Sequence, residues 1–144
     1  MKKYRVMYCI GMMLSIIVSG IDIYFNVRAL VLDQEHSFIE RLYLNTYSYT
    51  GAFSIFVFFI GLYLLLVSKR VFSGEKGYLR LNNTFLILLS LRFISLISSI
   101  VISIGNIALY DILQTIFNII AMLLIAAPYY RAHHSKQPFV DDKQ

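Results

Sequence analysis

Four long apolar segments dominate the pattern of hydrophobic and polar positions along this chain. They occupy four ranges, about 6–28, 48–67, 83–104 and 107–130. Each approaches or exceeds the roughly 20 residues that an α-helix needs to cross about 30 Å of hydrocarbon. Open strands would leave backbone groups unpaired in lipid, so helices are expected. The pattern therefore predicts an all-α membrane protein built as a four-span antiparallel transmembrane helix bundle.

The distribution of basic residues predicts the orientation of this bundle. Ten of the 13 Lys and Arg residues precede the first segment, lie between the second and third, or follow the fourth. Arg28 and Arg41 fall on the opposite side, and Arg92 falls within the third segment. Because cytoplasmic loops are enriched in Lys and Arg, we expect the N-terminus and the C-terminus to lie in the cytoplasm.

The first segment has a second interpretation, as a secretory signal. Lys2, Lys3 and Arg5 precede an apolar stretch ending in Val-Ser-Gly at 18–20, which resembles a small-residue cleavage site. The stretch is at the long limit for a signal, however, and its helical pattern continues beyond Gly20. We therefore expect a retained helix, whereas cleavage after Gly20 would leave three helices in the same orientation.

The connections differ on the two sides of the membrane. The outer loop carries a predicted short amphipathic helix before span two, because Ser37 and Glu40 form a capping-box pattern and the nearby apolar residues share one face. The inner loop at 68–83 contains two glycines, Gly74 and Gly77, that we expect to break helical structure. The chain thus divides into a transmembrane domain at 1–131 and a cytoplasmic tail at 132–144.

Polar residues inside the spans form a stripe on each of three helices. They recur at intervals of three and four residues, the spacing of one helical face. The stripes are Ser15, Ser19, Asp22 and Asn26 in the first span, Arg92, Ser95, Ser99 and Ser103 in the third, and Asp111, Gln114 and Asn118 in the fourth. Because lipid-facing surfaces are apolar, the three stripes are predicted to face one another.

Depth in the membrane suggests which of these residues are partners. Counted from the link between the last two spans, Arg92 and Asn118 lie about 20 Å from the outer surface and Asp111 lies about 8 Å from it, at about 1.5 Å per residue. A charge near mid-bilayer costs at least about 2.5–3.5 kcal/mol, so Arg92 needs partners. Asp111 is the first acidic candidate, and Asp22, at a similar outer depth, is the second.

We call Arg92, Asp111, Asn118, Gln114 and Asp22 the polar cluster. Two interpretations of it remain open. It is either a buried network that fixes helix register, or a site for a proton, an ion or a substrate. No neighbouring motif in the sequence favours one interpretation over the other.

Small residues at every fourth position predict close helix packing, since they let helix backbones approach in membranes. The two runs are Gly11, Ser15 and Ser19 in the first span and Ser95, Ser99 and Ser103 in the third. They either bring these two spans together or contact another protein. Because polar residues share the same faces, internal packing is favoured.

Composition narrows the classes of function. Of the 144 residues, 58% are hydrophobic and 15% are charged, which is too little polar material for the surface of a soluble domain. The net charge of +5 fits topology and anionic lipid headgroups, and we expect no nucleic acid partner. Cys9 is the single cysteine, and nucleotide, zinc, redox and serine-hydrolase motifs do not occur. We therefore expect no enzyme activity and no cofactor.

These features predict a small non-enzymatic protein of a bacterial plasma membrane. We expect it to act through association, as an accessory, regulatory or immunity-type subunit. Its expected partners are the lipid bilayer with its anionic headgroups, and either further copies of the chain or another membrane protein. The alternative is a small oligomeric transporter or channel subunit that uses the polar cluster.

Overall fold

The computed structural model describes residues 2–32, 47–102 and 109–134, and the regular secondary structure in all three ranges is α-helical. Within them the helices are α1 (Lys2–Leu32), α2 (Tyr47–Leu66), α3 (Ser68–Ser73), α4 (Lys76–Ile102) and α5 (Leu109–His134). The predicted all-helical architecture is confirmed. The predicted amphipathic helix at Ser37 to Glu40, the link between α4 and α5, and most of the predicted tail lie outside the described residues.

The inner loop is more helical than the sequence suggested. It contains α3 and the first two turns of α4, and only Gly74 interrupts the helical structure strongly, with a φ of 87°. Gly77 lies in the first turn of α4. Backbone N–H groups in a first turn have no intrahelical partner, so the usual cost of glycine in a helix interior is reduced there.

Three helices are long and apolar enough to cross a membrane, namely Lys2–Arg28, Lys76–Ser98 and Leu109–His134. Within α2, a shorter apolar stretch extends over Ala52–Leu66. The outward faces of these helices carry large apolar side chains, such as Ile17 and Phe59. Lipid solvates such a surface, whereas water would not, and the structure is therefore that of a membrane-embedded protein.

The four long helices form a ring in which each one packs against two others. α1 contacts α2 and α5, and α4 contacts the same two helices, so α1 and α4 lie across a diagonal. The small residues of α1 therefore approach a different helix from the one that the sequence suggested. A Cβ built on Gly11 would lie 2.8 Å from Cβ of Leu124 and 2.9 Å from Cγ1 of Ile125, both in α5.

This contact predicts a loss of stability for Gly11→Ala. The new methyl group would have to push α1 away from α5, at a cost of about 1–3 kcal/mol. Gly20→Ala is the matched control, because a Cβ there would lie 3.4 Å from the nearest ring atom of Phe58. Both changes gain the same helix propensity. Thermal unfolding in detergent should show a lower midpoint for Gly11→Ala only, and equal midpoints would contradict the packing described here.

One end of the bundle, where α1 and α4 begin and α5 ends, has an apolar core, and we call it the inner end. Its buried side chains include Tyr8, Met12, Val57, Leu64, Val71, Phe72, Phe85, Leu89, Ile125 and Tyr129. Both tyrosine hydroxyl groups in this core form hydrogen bonds. The Tyr8 hydroxyl donates to Oδ1 of Asn82 at 2.6 Å, and the Tyr129 hydroxyl donates to Oδ1 of Asn83 at 3.2 Å. α3 packs over this end through Val71 and Phe72. The inner half of the bundle is consequently closed.

Candidate functional site

Buried polar side chains gather in the other half of the bundle, which we call the outer half. They come from all four long helices and include Ser15, Ser19, Asp22, Ser54, Arg92, Asp111, Gln114, Thr115 and Asn118. Helical periodicity places them there. Each helix turns one face inward, and on α1 and α5 that face changes from apolar at the inner end to polar at the outer end. On α1 the inward face carries Tyr8 and Met12 first, and then the serines and Asp22.

Arg92 lies at the centre of this polar region and is 0% exposed. Its Nη1 donates a hydrogen bond of 2.8 Å to Oγ of Ser19, which joins α4 to α1 across the diagonal of the ring. Its Nε and Nη2 have no hydrogen-bond partner among the described residues. A buried donor without a partner costs about 1–3 kcal/mol, and more when it is charged. The guanidinium therefore has unused hydrogen-bonding capacity inside the bundle.

Asp22 is the carboxylate that acts on Arg92. Its negative charge attracts the buried guanidinium. Asp22 lies one turn beyond Ser19 on the same face of α1, so the serine and the carboxylate approach Arg92 from one side. The Ser54 hydroxyl, from α2, donates a hydrogen bond to Oδ2 of Asp22. The sequence suggested Asp111 as the first candidate partner, whereas the structure favours Asp22.

Asp111 lies in the first turn of α5 and is 8% exposed. The charge that acts on it most is the like charge of Asp22. No described residue donates a hydrogen bond to its carboxylate, while its backbone carbonyl accepts one from Thr115 at 2.8 Å. Asp111 is thus a largely buried carboxylate near a second carboxylate, and no described cation compensates its charge.

Tyr110 lies beside both carboxylates. Its hydroxyl is close enough to Asp22 and Asp111 to interact with them electrostatically, but it does not meet the geometry of a hydrogen bond. Its ring packs against Phe25 of α1 with 5.3 Å between centroids. This contact holds α1 and α5 together at the outer end, close to Asp22 and Asp111.

The two amides of the polar cluster also come from α5. Asn118 donates from Nδ2 to the backbone oxygen of Leu89 at 3.4 Å, one turn before Arg92, and approaches the sulfur of Met122 at 3.7 Å. Gln114 is 5% exposed, and its Nε2 has no hydrogen-bond partner among the described residues. The Oγ of Ser15 is likewise buried without a partner. Several groups in this region can therefore donate a hydrogen bond to a further ligand or to water.

The polar cluster comes together in part. Arg92, Asp22, Ser19 and Ser54 form the centre, Asp111 is close enough to Asp22 for their like charges to repel, and Gln114 and Asn118 lie along α5. Of the second small-residue run, Ser95 is half-buried on α4, whereas Ser99 and Ser103 are outside the described side chains. Among the described residues, no group of three or more His, Cys, Asp or Glu could hold a metal ion.

Sequence reasoning missed Ser54 and Tyr110. A lone serine in an otherwise apolar span has no periodic partner, so the hydropathy pattern gives it little weight. Tyr110 adjoins Asp111, but a tyrosine near a membrane boundary is more typical of an interfacial position than of an ionic site. Compared with known protein families, with curated proteins and with solved structures, the chain matches none of them.

Proposed function

We propose that this chain is a four-span protein of a bacterial plasma membrane that binds a proton or a small monovalent cation in its outer half, as a transporter or channel subunit. The observation that carries the proposal is a charge imbalance. Among the described residues, the polar region holds two largely buried carboxylates, those of Asp22 and Asp111, and one buried guanidinium, that of Arg92.

The imbalance has a direct consequence in a membrane. If all three groups were ionised, the site would carry a net charge of about −1 in surroundings of low dielectric constant, where an unpaired charge is expensive. A bound proton or monovalent cation removes that excess. Asp111 is the position for the bound proton or cation, because Asp22 already has the attraction of Arg92 and a hydrogen bond from Ser54. The slight exposure of Asp111 offers a route from the outer end.

The alternative, action through association alone, has less support. The exposed positions of the described spans carry large apolar side chains, which lipid solvates without a partner protein. Ser98 is an exposed hydroxyl among them, and it donates to the backbone oxygen of Ile94 in its own helix at 2.9 Å. The unpartnered donors of Arg92 and Gln114 lie inside the bundle, where a partner helix would not reach them.

The inner core supplies a barrier of the kind that a transporter needs. Met12, Leu89 and Ile125 are fully buried between the polar region and the inner end. A cation that entered from outside would therefore stop at the aspartates. Passage would require this apolar layer to part, as in proteins that alternate access to a central site.

Four spans and cytoplasmic termini are supported by length and charge. α2 has 20 residues without a charged side chain, enough for about 30 Å at about 1.5 Å per residue. An even number of spans returns both termini to one side. That side carries Lys2 and Lys3 at the start of α1, the basic residues of α3, and Arg131 near the end of α5.

Cysteine labelling tests this topology. In a Cys9→Ser background, an impermeant thiol reagent applied to intact cells should label Gln34→Cys and should leave Glu75→Cys unlabelled. Glu75 is exposed in the turn before α4, so its protection would come from the membrane and not from burial. Permeabilised cells, in which both positions should react, serve as the control. Equal labelling of the two positions in intact cells would contradict four spans.

Flux through reconstituted vesicles tests the function. Wild-type protein should let protons, sodium or potassium equilibrate faster than protein-free vesicles do, as read by an enclosed dye that responds to the ion whose gradient is imposed. A charge-free variant with Arg92→Met, Asp22→Leu and Asp111→Leu should fold, because apolar replacement of a buried ionic group is often neutral or stabilising. Its flux should fall to that of protein-free vesicles.

The matched control neutralises three exposed charges outside the spans, through Lys69→Gln, Arg70→Gln and Glu75→Gln. It should keep the wild-type flux. Equal flux in the wild-type protein and in the charge-free variant would contradict the proposal. Wild-type flux no faster than that of protein-free vesicles would also contradict it, and a stoichiometric foreign protein found on purification would then favour association.

A further inference from the structure

α3 is a six-residue helix that packs over the inner end of the bundle, where it contacts all four long helices. A break in the helical backbone lies on either side of it. Val67 before it has a φ of −96° and a ψ of 15°, and Gly74 after it has a φ of 87°. No side-chain hydrogen bond caps its N-terminus. A helix this short is not stable on its own, so packing on the bundle holds α3 in place.

The side chain of Phe72 attaches α3 to the bundle. Its ring meets the ring of Tyr8 edge to face, with 5.2 Å between centroids, and stacks on His133 of α5 at 6.5 Å. On the opposite side of α3, Arg70 donates to the Tyr78 hydroxyl at 2.8 Å in an exposed contact. Water competes for such a hydrogen bond, so its net contribution is small. The apolar contact of Phe72 therefore holds α3 more strongly than its polar contact does.

Polar side chains lie directly beneath Phe72. Tyr8, which the Phe72 ring touches, donates its hydroxyl to Asn82, and Asn82 is fully buried. The Nδ2 of Asn82 lies near the Tyr129 hydroxyl but does not meet the geometry of a hydrogen bond. A buried amide N–H group without a partner is costly, and water that entered this end would satisfy it. We call Tyr8, Asn82 and Tyr129 the inner polar layer.

The inner polar layer lies between α3 and the apolar layer of the bundle. On α1, Tyr8 is one turn from Met12, and on α5, Tyr129 is one turn from Ile125. Met12 and Ile125 belong to the apolar layer that separates the outer half from the inner end. An ion that left Asp111 toward the inner end would therefore cross the apolar layer, reach the inner polar layer, and then meet α3.

We propose that α3 is a lid, and that its opening exposes the inner polar layer to water as the exit for the ion bound in the outer half. This inference rests on the proposed transport function. Rotation at Val67 and Gly74 would lift Phe72 from Tyr8 without unwinding a long helix, since a few residues at element ends can absorb such a movement. Glycine suits the second hinge because its φ of 87° lies in the left-handed region, which costs other residues energy.

Thiol labelling tests the movement of the lid without a measurement of flux. In a Cys9→Ser background in nanodiscs, a water-soluble maleimide should label Val71→Cys at least about tenfold faster than Val57→Cys, because local opening exposes α3 first. The two changes are matched, since both valines are fully buried and only Val71 lies on α3. Equal rates at the two positions would overturn the proposal.

Loss of the Phe72 ring should make the lid open more often. Phe72→Leu keeps an apolar side chain, so the protein should fold, and it should raise the labelling rate of Val71→Cys about threefold to tenfold through loss of the aromatic contacts. The control is Phe59→Leu, the same change at an exposed position of α2, which should leave the rate unchanged. An unchanged rate in Phe72→Leu would also overturn the proposal.

A tether tests whether the lid controls the exit. A short, reducible thiol cross-linker should join Phe72→Cys to His133→Cys, since the two native rings lie 6.5 Å apart. Flux through reconstituted vesicles should stop on cross-linking and return on reduction. Flux that continued through cross-linked protein would overturn the lid alone. Absence of flux before cross-linking would instead overturn the transport function, and the labelling rates would still decide whether α3 moves.

Discussion

Replacing Arg92 with leucine should lower the free energy of unfolding by about 3–5 kcal/mol, the usual effect of removing one partner from a buried ionic group. The change would leave Asp22 and Asp111 as two carboxylates with no cation between them. It would also remove the hydrogen bond to Ser19 that joins α4 to α1. Reversible unfolding in mixed micelles would measure the loss, with Arg92→Lys as a variant that keeps the charge and should lose less.

Double variants then identify the carboxylate that pairs with Arg92. Arg92→Leu with Asp22→Leu should recover more stability than Arg92→Leu with Asp111→Leu, because Asp22 is the carboxylate that attracts the guanidinium. Residues that interact give non-additive losses, whereas independent residues give additive ones. The opposite result would be additive losses for Arg92→Leu and Asp22→Leu, with stability recovered in Arg92→Leu with Asp111→Leu. It would mean that Arg92 pairs with Asp111, as the sequence suggested.

Neutralising Asp111 should abolish flux while leaving the fold at least as stable as wild type. Asp111→Asn keeps the size of the side chain and removes the carboxylate that no described cation compensates. Asp22→Asn is the matched control, and it should instead destabilise the protein, since Arg92 would lose its carboxylate neighbour. Vesicle flux and thermal unfolding would be measured on the same preparations. Wild-type flux in Asp111→Asn would contradict the role given to this residue.

The sequence predicted which faces of α1 and α5 turn inward, because periodicity alone sets such a face. Asp22 and Ser19 are spaced three apart on α1, and Asp111, Gln114 and Asn118 are spaced three and four apart on α5. All of them are buried. A long apolar run likewise predicts a helix of membrane-spanning length. These features depend on local spacing, which the sequence contains in full.

Which helices lie next to one another could not be predicted from the sequence. Small residues such as Gly11 allow a close approach without specifying the helix that approaches, and the neighbour is α5 instead of α4. Depth counted along the helices placed Asp111 and Asp22 at similar levels and could not choose between them as partners of Arg92, whereas the ring of four helices brings Ser19 of α1 to the guanidinium across the diagonal, with Asp22 one turn beyond it. Such choices depend on how all four helices pack together, and no single helix encodes them.

The most direct test of the central claim is an infrared difference spectrum in neutral buffer that contains only a bulky organic cation. An exposed carboxyl group is ionised at neutral pH, since its ordinary pKa is about 4. A protonated carboxyl band would therefore report a buried acid. We expect this band in wild-type protein, its loss in Asp111→Asn, and its decrease when a cation that occupies the site is added. A wild-type spectrum that lacks this band and does not change when sodium or potassium is added would mean that both aspartates are ionised without a bound ion. That result would contradict the account.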